Sequence, residues 1–309
     1  MGGPTPGLIV RGGAVVAATV AAAWALAYPH NPVAGAATRA LADCAAVITL
    51  GLATVPLLES DRYRAELGRR AAGPLGLAAA VWLVTEIVRL TVEAAQTAGV
   101  GFWQIGIRTL TDFCLYTTAG RSGLVGVAAA LAVAAVAVLA PRGATTTVAA
   151  VGLAAVGMAA RTLAGHLAES PVGGMAVAVH GLAAAVWCGV LAALVLTVTH
   201  RGQWARVLPR FSQLSLWCVG VLLAAGVAGA AIKLDSPTEL WATGYGRVLA
   251  AKVVVTAALL VLAWRNRSQW LPAARAHRSS ATLSQNRSLV ELGMMAVAVT
   301  LAAALAVTG

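Results

Sequence analysis

Apolar residues run along the chain in nine continuous blocks: Leu8–Tyr28, Ala34–Leu58, Pro74–Ala98, Ser122–Ala140, Thr146–Gly165, Gly173–Thr199, Phe211–Lys233, Gly246–Trp264 and Leu289–Thr308. Each is close to the roughly 20 residues that a helix needs to cross a bilayer. The blocks are unbroken and do not alternate in and out with period two, so they predict helices and not barrel strands. One further stretch, Gly99–Gly120, is only half apolar. There Trp103, Ile107, Leu110, Cys114 and Thr117 recur every three or four residues. That spacing predicts an amphipathic helix on the outer membrane surface.

The polar positions between blocks set the orientation. Arg62, Arg64, Arg69 and Arg70 follow the second block, Arg142 the fourth, and Arg201, Arg206 and Arg210 the sixth. Arg265, Arg267, Arg275, Arg278 and Arg287 follow the eighth. These segments alternate, so one face of the membrane receives them all, and the positive-inside rule makes it the cytoplasm. His30, His166, Glu169, Asp235 and Glu239 then fall outside. The expected fold is an all-α polytopic membrane protein of about nine transmembrane helices, with the N-terminus cytoplasmic and the C-terminus outside. Ala25-Leu26-Ala27 resembles a signal-peptide cleavage site. An uncleaved first span is the reading carried forward.

Composition agrees with the pattern. Of 309 residues, 60% are hydrophobic and 11% charged, and the mean hydropathy is +0.83. Soluble domains carry about 25% charged residues. The net charge of +11 would suggest a nucleic-acid partner in a soluble chain. Here the arginines follow the topology, and no nucleic-acid partner is expected. Cys44, Cys114, Cys188 and Cys218 form no C-x-x-C and no disulfide framework.

A charge at the centre of a span costs about 2.5–3.5 kcal/mol on insertion scales, so such groups face the interior of a bundle. Glu86, Arg89 and Glu93 stand at i, i+3 and i+7 and share one helix face. Arg39 and Asp43 have the i, i+4 spacing of an ion pair. Two readings stay open for them: neutralised structural pairing, or the polar lining of an ion path. Lys252 and Glu291 lie at opposite depths and are not expected to pair. Glu291 is expected to meet arginines of the inner loops.

His166 ends the fifth block, and His180 lies seven residues into the sixth. The intervening segment is short, so both imidazoles are expected in one outer layer. Neutral imidazole binds copper, zinc and haem iron. Met175 is a candidate third, softer ligand. Glu169 is a further possible ligand, and His30 is a candidate for surface capture of metal. Trp187 shares the face of His180, where it would close the site below. The sequence has no P-loop and no H-E-x-x-H, G-x-S-x-G or C-x-x-C-H motif. No enzyme activity is expected.

In the second half, His180-Gly-Leu-Ala-Ala-Ala-Val-Trp187-Cys-Gly189 resembles the H-x-x-A-x-x-x-W-x-G pattern of the copper resistance D (CopD) family, with Cys188 where a small or apolar residue is usual. Arg210-Phe211-Ser212, then Tyr245-Gly246-Arg247 with Leu249 and Lys252, then Asn266-Arg267 and Glu291, follow in order. Residues 1–164 share general character and the Thr118-Ala119-Gly120-Arg121 element. The expected division is 1–164, with five spans, and 165–309, the CopD-like region. The resemblance implies copper handling at the bacterial cytoplasmic membrane, as an uptake permease or as a donor for cytochrome oxidase assembly. Members of this family are also joined to an oxidase assembly domain, and the end of the chain at Gly309, flush with the last span, suits such a joined protein. The partners implied are the lipid bilayer, copper ion and an oxidase assembly factor. The alternatives are a b-type cytochrome with His166 and His180 as axial haem ligands, and a non-transporting membrane scaffold.

Overall fold

The computed structural model describes residues 6–28, 33–141, 143–163, 171–233, 238–270, 272 and 280–308. Their elements are α1 (Pro6–Ala27), α2 (Val33–Thr54), α3 (Asp61–Thr97), α4 (Ile107–Tyr116), α5 (Thr118–Leu139), α6 (Ala144–Leu163), α7 (Pro171–Thr197), α8 (Arg201–Lys233), α9 (Glu239–Ala242), α10 (Gly244–Arg265) and α11 (Ala281–Thr308). Short 3-10 turns follow α2 and α3, and a π-helical turn, Asn266–Trp270, extends α10. Among the described residues nine helices are long and apolar enough to cross a membrane, and no strand occurs. Helices close every backbone hydrogen bond within the segment, which hydrocarbon requires.

Two helices are longer than the apolar blocks indicate. α3 has 37 residues and α8 has 33. At 1.5 Å per residue α3 is about 55 Å long, against about 30 Å of hydrocarbon. The arginines read as loop residues at 62–70 and 201–210 therefore sit on helical turns. Charged helix-forming side chains continue a helix in water as well as in lipid, so hydropathy marks the membrane boundary and not the helix end.

α2 and α7 form the centre. Their apolar windows are 67% and 56% buried, against 11% for α8 and 17% for α10. α2 packs on α1, α3, α6, α7 and α11, and α7 packs on α2, α3, α6, α8 and α11. They cross with their backbones in contact: a Cβ placed on Gly51 would overlap the Gly189 backbone, and one on Gly189 would overlap the Val47 carbonyl. Small residues let membrane helices approach this closely, and dispersion replaces the hydrophobic drive that lipid removes.

The helix ends carrying arginine converge. Arg206 Nε donates to Glu59 at 3.2 Å, and its guanidinium lies 4.2 Å from the centre of the Tyr63 ring. Arg210 donates to the Leu58 carbonyl at 2.9 Å, and Arg70 joins Glu66 of α3 to Gln203 of α8. We call this the arginine-rich end.

At the opposite end Arg247 ties α10 to α1. Its Nε donates to the Leu26 carbonyl at 2.7 Å and its Nη2 to the Tyr28 carbonyl at 3.3 Å. The Ala25-Leu26-Ala27 stretch is thus the last turn of α1, clamped by the Tyr245-Gly246-Arg247 segment. Between α3 and α5, α4 turns Phe113 inward onto Leu90 and Ala94. It leaves Ile107, Leu115 and Tyr116 exposed. Thr117 then caps α5 by accepting from the Gly120 N–H at 2.8 Å.

Candidate functional site

The charges inside the first half form one connected network. Arg161, in the last turn of α6, is its hub. Its Nη2 donates to Asp43 of α2 at 2.7 Å, and its Nη1 lies 3.1 Å from Glu86 Oε2 of α3. Arg89 holds the other oxygen of Glu86, through Nη2 at 2.8 Å and Nε at 3.2 Å, and also pairs with Glu93. Arg39 stands 3.9 Å from Asp43. Three guanidinium groups meet three carboxylates, so the cluster is neutral as a whole.

Its exposure is graded. The Glu86 side chain is 0% exposed and Arg161 6%, whereas Asp43 is 23% and Glu93 34% exposed. Gly126 of α5 gives Glu86 its room, because a Cβ there would stand 3.0 Å from Oε1. The helix face of Glu86, Arg89 and Glu93 is thus occupied by salt bridges.

Arg161 escaped the reading of the sequence. One signal for it was present: an arginine at the arginine-poor end of a span runs against the positive-inside pattern. An intramembrane charge that breaks the pattern calls for a partner.

His180 sits in α7 at the same level as Arg161. The neighbouring Gly181 faces Thr162, whose methyl would lie 4.0 Å from a Cβ built there. Nδ1 of His180 is 2.9 Å from the Leu222 carbonyl of α8. A carbonyl oxygen only accepts, so Nδ1 is the donor and a neutral ring offers its Nε2 lone pair. Metal-binding histidines are commonly oriented in this way. Gly226 makes the approach possible, since a Cβ there would come within 3.1 Å of the ring. Lys252 of α10 lies within electrostatic reach of the same ring.

Of the remaining sequence candidates, Met175 and Trp187 are among the described residues. His166, Glu169 and His30 lie outside the described residues. Met175 precedes His180 by five residues, so the two point about 140° apart on the helix. Met175 is 58% exposed, while His180 faces α8. Trp187 is buried in the core, and its indole N–H has no partner among the described residues. No group of three or more His, Cys, Asp or Glu able to hold a metal occurs among the described residues.

The motif residues of the second half meet elsewhere, at the arginine-rich end. Glu291 Oε2 accepts from the Asn266 amide at 2.7 Å. Arg267 Nη1 donates to the Ser212 carbonyl at 3.0 Å and also to its hydroxyl. Among the described residues Glu291 makes no ion pair with an inner-loop arginine, and Arg275 and Arg278 lie outside the described residues. The π-helical turn places Asn266 beside Glu291 and directs Arg267 to α8.

The family description "Copper resistance protein D" matches residues 205–306, and "Copper resistance protein D-like, N-terminal domain" matches residues 30–176. The chain belongs to the copper resistance protein D family. Membership and the nine apolar helices make it a copper-related multi-pass membrane protein. The segments at Tyr245–Lys252, Asn266-Arg267 and Glu291 lie inside the match at residues 205–306, while His180–Gly189 falls between the two matches. No curated protein and no solved structure matches the chain.

Proposed function

We propose that the protein moves copper across a bacterial cytoplasmic membrane, or hands it to an acceptor such as an oxidase assembly factor, without enzymatic chemistry of its own. The arginine-rich end faces the cytoplasm in this reading, by the positive-inside rule. The observation that carries the proposal is the fixed ring of His180. Its Nδ1 is held by the Leu222 carbonyl at a close approach that Gly226 permits, which leaves Nε2 as the nitrogen free to act as a ligand. Imidazole suits copper in either oxidation state, and the family concerns copper. His166, in the segment just before α7, supplies the second imidazole in this proposal.

The neutral ion network at the same level keeps α2, α3 and α6 in register beside the site. Its graded exposure gives a cation a polar boundary to follow. The sequence has no P-loop, so inward movement of Cu(I) draws on the membrane potential, worth about 2.3 kcal/mol per charge per 100 mV.

The test is copper uptake into vesicles holding the purified protein, with metal analysis and an absorbance spectrum of the same sample. Bound copper and potential-dependent uptake are expected, both lost in His180→Ala and in His166→Ala. A stoichiometric Soret band would replace copper by haem as the ligand of the histidines. Unchanged copper binding in the double variant would move the site elsewhere.

A further inference from the structure

At the arginine-rich end, α8, α10 with its π-helical turn, and α11 enclose a cleft of about 210 Å³. Its polar groups are Ser212, Ser215, Asn266, Arg267 and Glu291. Glu291 is 3% exposed and Ser212 8%. The Glu291 carboxylate has one polar partner among the described residues, the Asn266 amide on Oε2, and Oε1 has none. Arg267 is held by Ser212 alone and meets no carboxylate among the described residues. One cleft therefore carries a carboxylate and a guanidinium that pair neither with each other nor with other described charges. In the arginine–carboxylate network at the opposite end, every such group has a counter-charge within 4 Å. A buried charge without a counter-charge is costly, and a ligand bearing both signs would compensate the two groups at once.

The rest of the cleft shows where such a ligand comes from. The polar residues lie toward the arginine-rich end. Deeper along the same helices the walls are Leu216, Val219 and Leu260. Leu216 is 43% and Trp264 69% exposed on the outer surface of the bundle. A tryptophan at that level marks the membrane–water interface. The cleft is thus polar at headgroup depth and apolar at acyl-chain depth.

We propose that it binds a zwitterionic aminophospholipid. The phosphate lies against Arg267 and the Ser212 hydroxyl, the ammonium group against Glu291 Oε1, and one acyl chain along Leu216, Val219 and Leu260. Arginine supplies a planar fork for phosphate oxygens. A carboxylate accepting from a primary ammonium makes a charge-assisted hydrogen bond that a quaternary amine cannot make. The proposal is independent of how copper is carried.

The test uses the full chain reconstituted in vesicles of equal parts phosphatidylethanolamine, phosphatidylglycerol and phosphatidylcholine. The protein is then extracted in mild detergent, and retained lipid is identified by native mass spectrometry. The wild type should retain phosphatidylethanolamine about tenfold over the other two, the size of one charge-assisted hydrogen bond. Glu291→Gln should erase that preference while still holding phospholipid. Arg267→Gln should lose all three lipids. Leu260→Trp fills the apolar half without touching the polar groups and should lower retention of all three equally. Equal retention by the wild type, an undiminished preference in Glu291→Gln, or no effect of Leu260→Trp would overturn the proposal. Release of the lipid by soluble phosphoethanolamine at equal concentration would overturn the lipid assignment in favour of a soluble zwitterion.

Discussion

Two of the regions of this bundle that bury charge do it in opposite ways. Between α2, α3 and α6, Arg161 divides its guanidinium between Asp43 and Glu86, and each carboxylate of the network faces a guanidinium. At the far end of α8 and α10, Glu291 is as deeply buried as Arg89 but has only an amide for a partner. The first arrangement is closed: its neutrality is internal, and it locks three helices together. The second is open: its charges wait on a cleft, on helices that pack loosely at the periphery. Burial alone therefore says little about the role of a charged group. The identity of its partner says more.

The largest effect expected from breaking this contrast is at Arg161. Arg161→Leu leaves Asp43 and Glu86 short of a cation in the bundle interior, which costs about 3–5 kcal/mol for a broken buried pair. The thermal midpoint in detergent should fall steeply. Arg161→Lys should restore only part of it, because a compact ammonium lacks the planar spread of donors with which the guanidinium reaches both carboxylates. A wild-type midpoint in Arg161→Leu would mean that the network does not hold the fold.

The next effect separates centre from periphery by a single methyl. Gly51→Ala drives a Cβ into the Gly189 backbone and should cost about 1–3 kcal/mol, as over-packing does. Gly220 of α8 has nothing within 4 Å of an added Cβ. Gly220→Ala should be neutral or stabilise by up to about 1 kcal/mol through helix propensity. Equal destabilisation by both would remove the distinction between a tight α2–α7 seam and a loose rim.

A smaller effect is expected at Glu291. Glu291→Gln deprives no cation of its partner, so stability in lipid-free detergent should change by less than about 1 kcal/mol. A loss as large as that of Arg161→Leu would show that Glu291 also belongs to a closed network. The smallest effect is at Arg64, whose partner Asp61 is 91% exposed. Arg64→Ala should stay within about 0.5 kcal/mol in the same melt, as solvated pairs do.

Several of these residues were legible before any coordinates. The i, i+3, i+7 spacing put Glu86, Arg89 and Glu93 on one face, and their cost in hydrocarbon implied that the face points inward. Arg161 was not connected to them, because its partners lie 118 and 75 positions away and nothing local encodes that pairing. Gly226 and the Leu222 carbonyl were equally hidden. A glycine in an apolar run has many meanings, and a main-chain acceptor has no signature in the sequence. The match in depth between His180 and Arg161 likewise needed the packing of α6 on α7.

The sequence by itself determined that this chain is a set of membrane-crossing helices with most of its arginines on one side of the membrane. That follows from transfer free energies, which are sums over local residues and need no knowledge of neighbours. It also carried the family, because ordered motifs survive as sequence. Only the tertiary structure decided which buried charges close on one another and which stay open. Ion pairing depends on distances of a few ångströms between helices far apart in the chain. Those distances are set by where small residues such as Gly51, Gly126 and Gly226 let the helices approach.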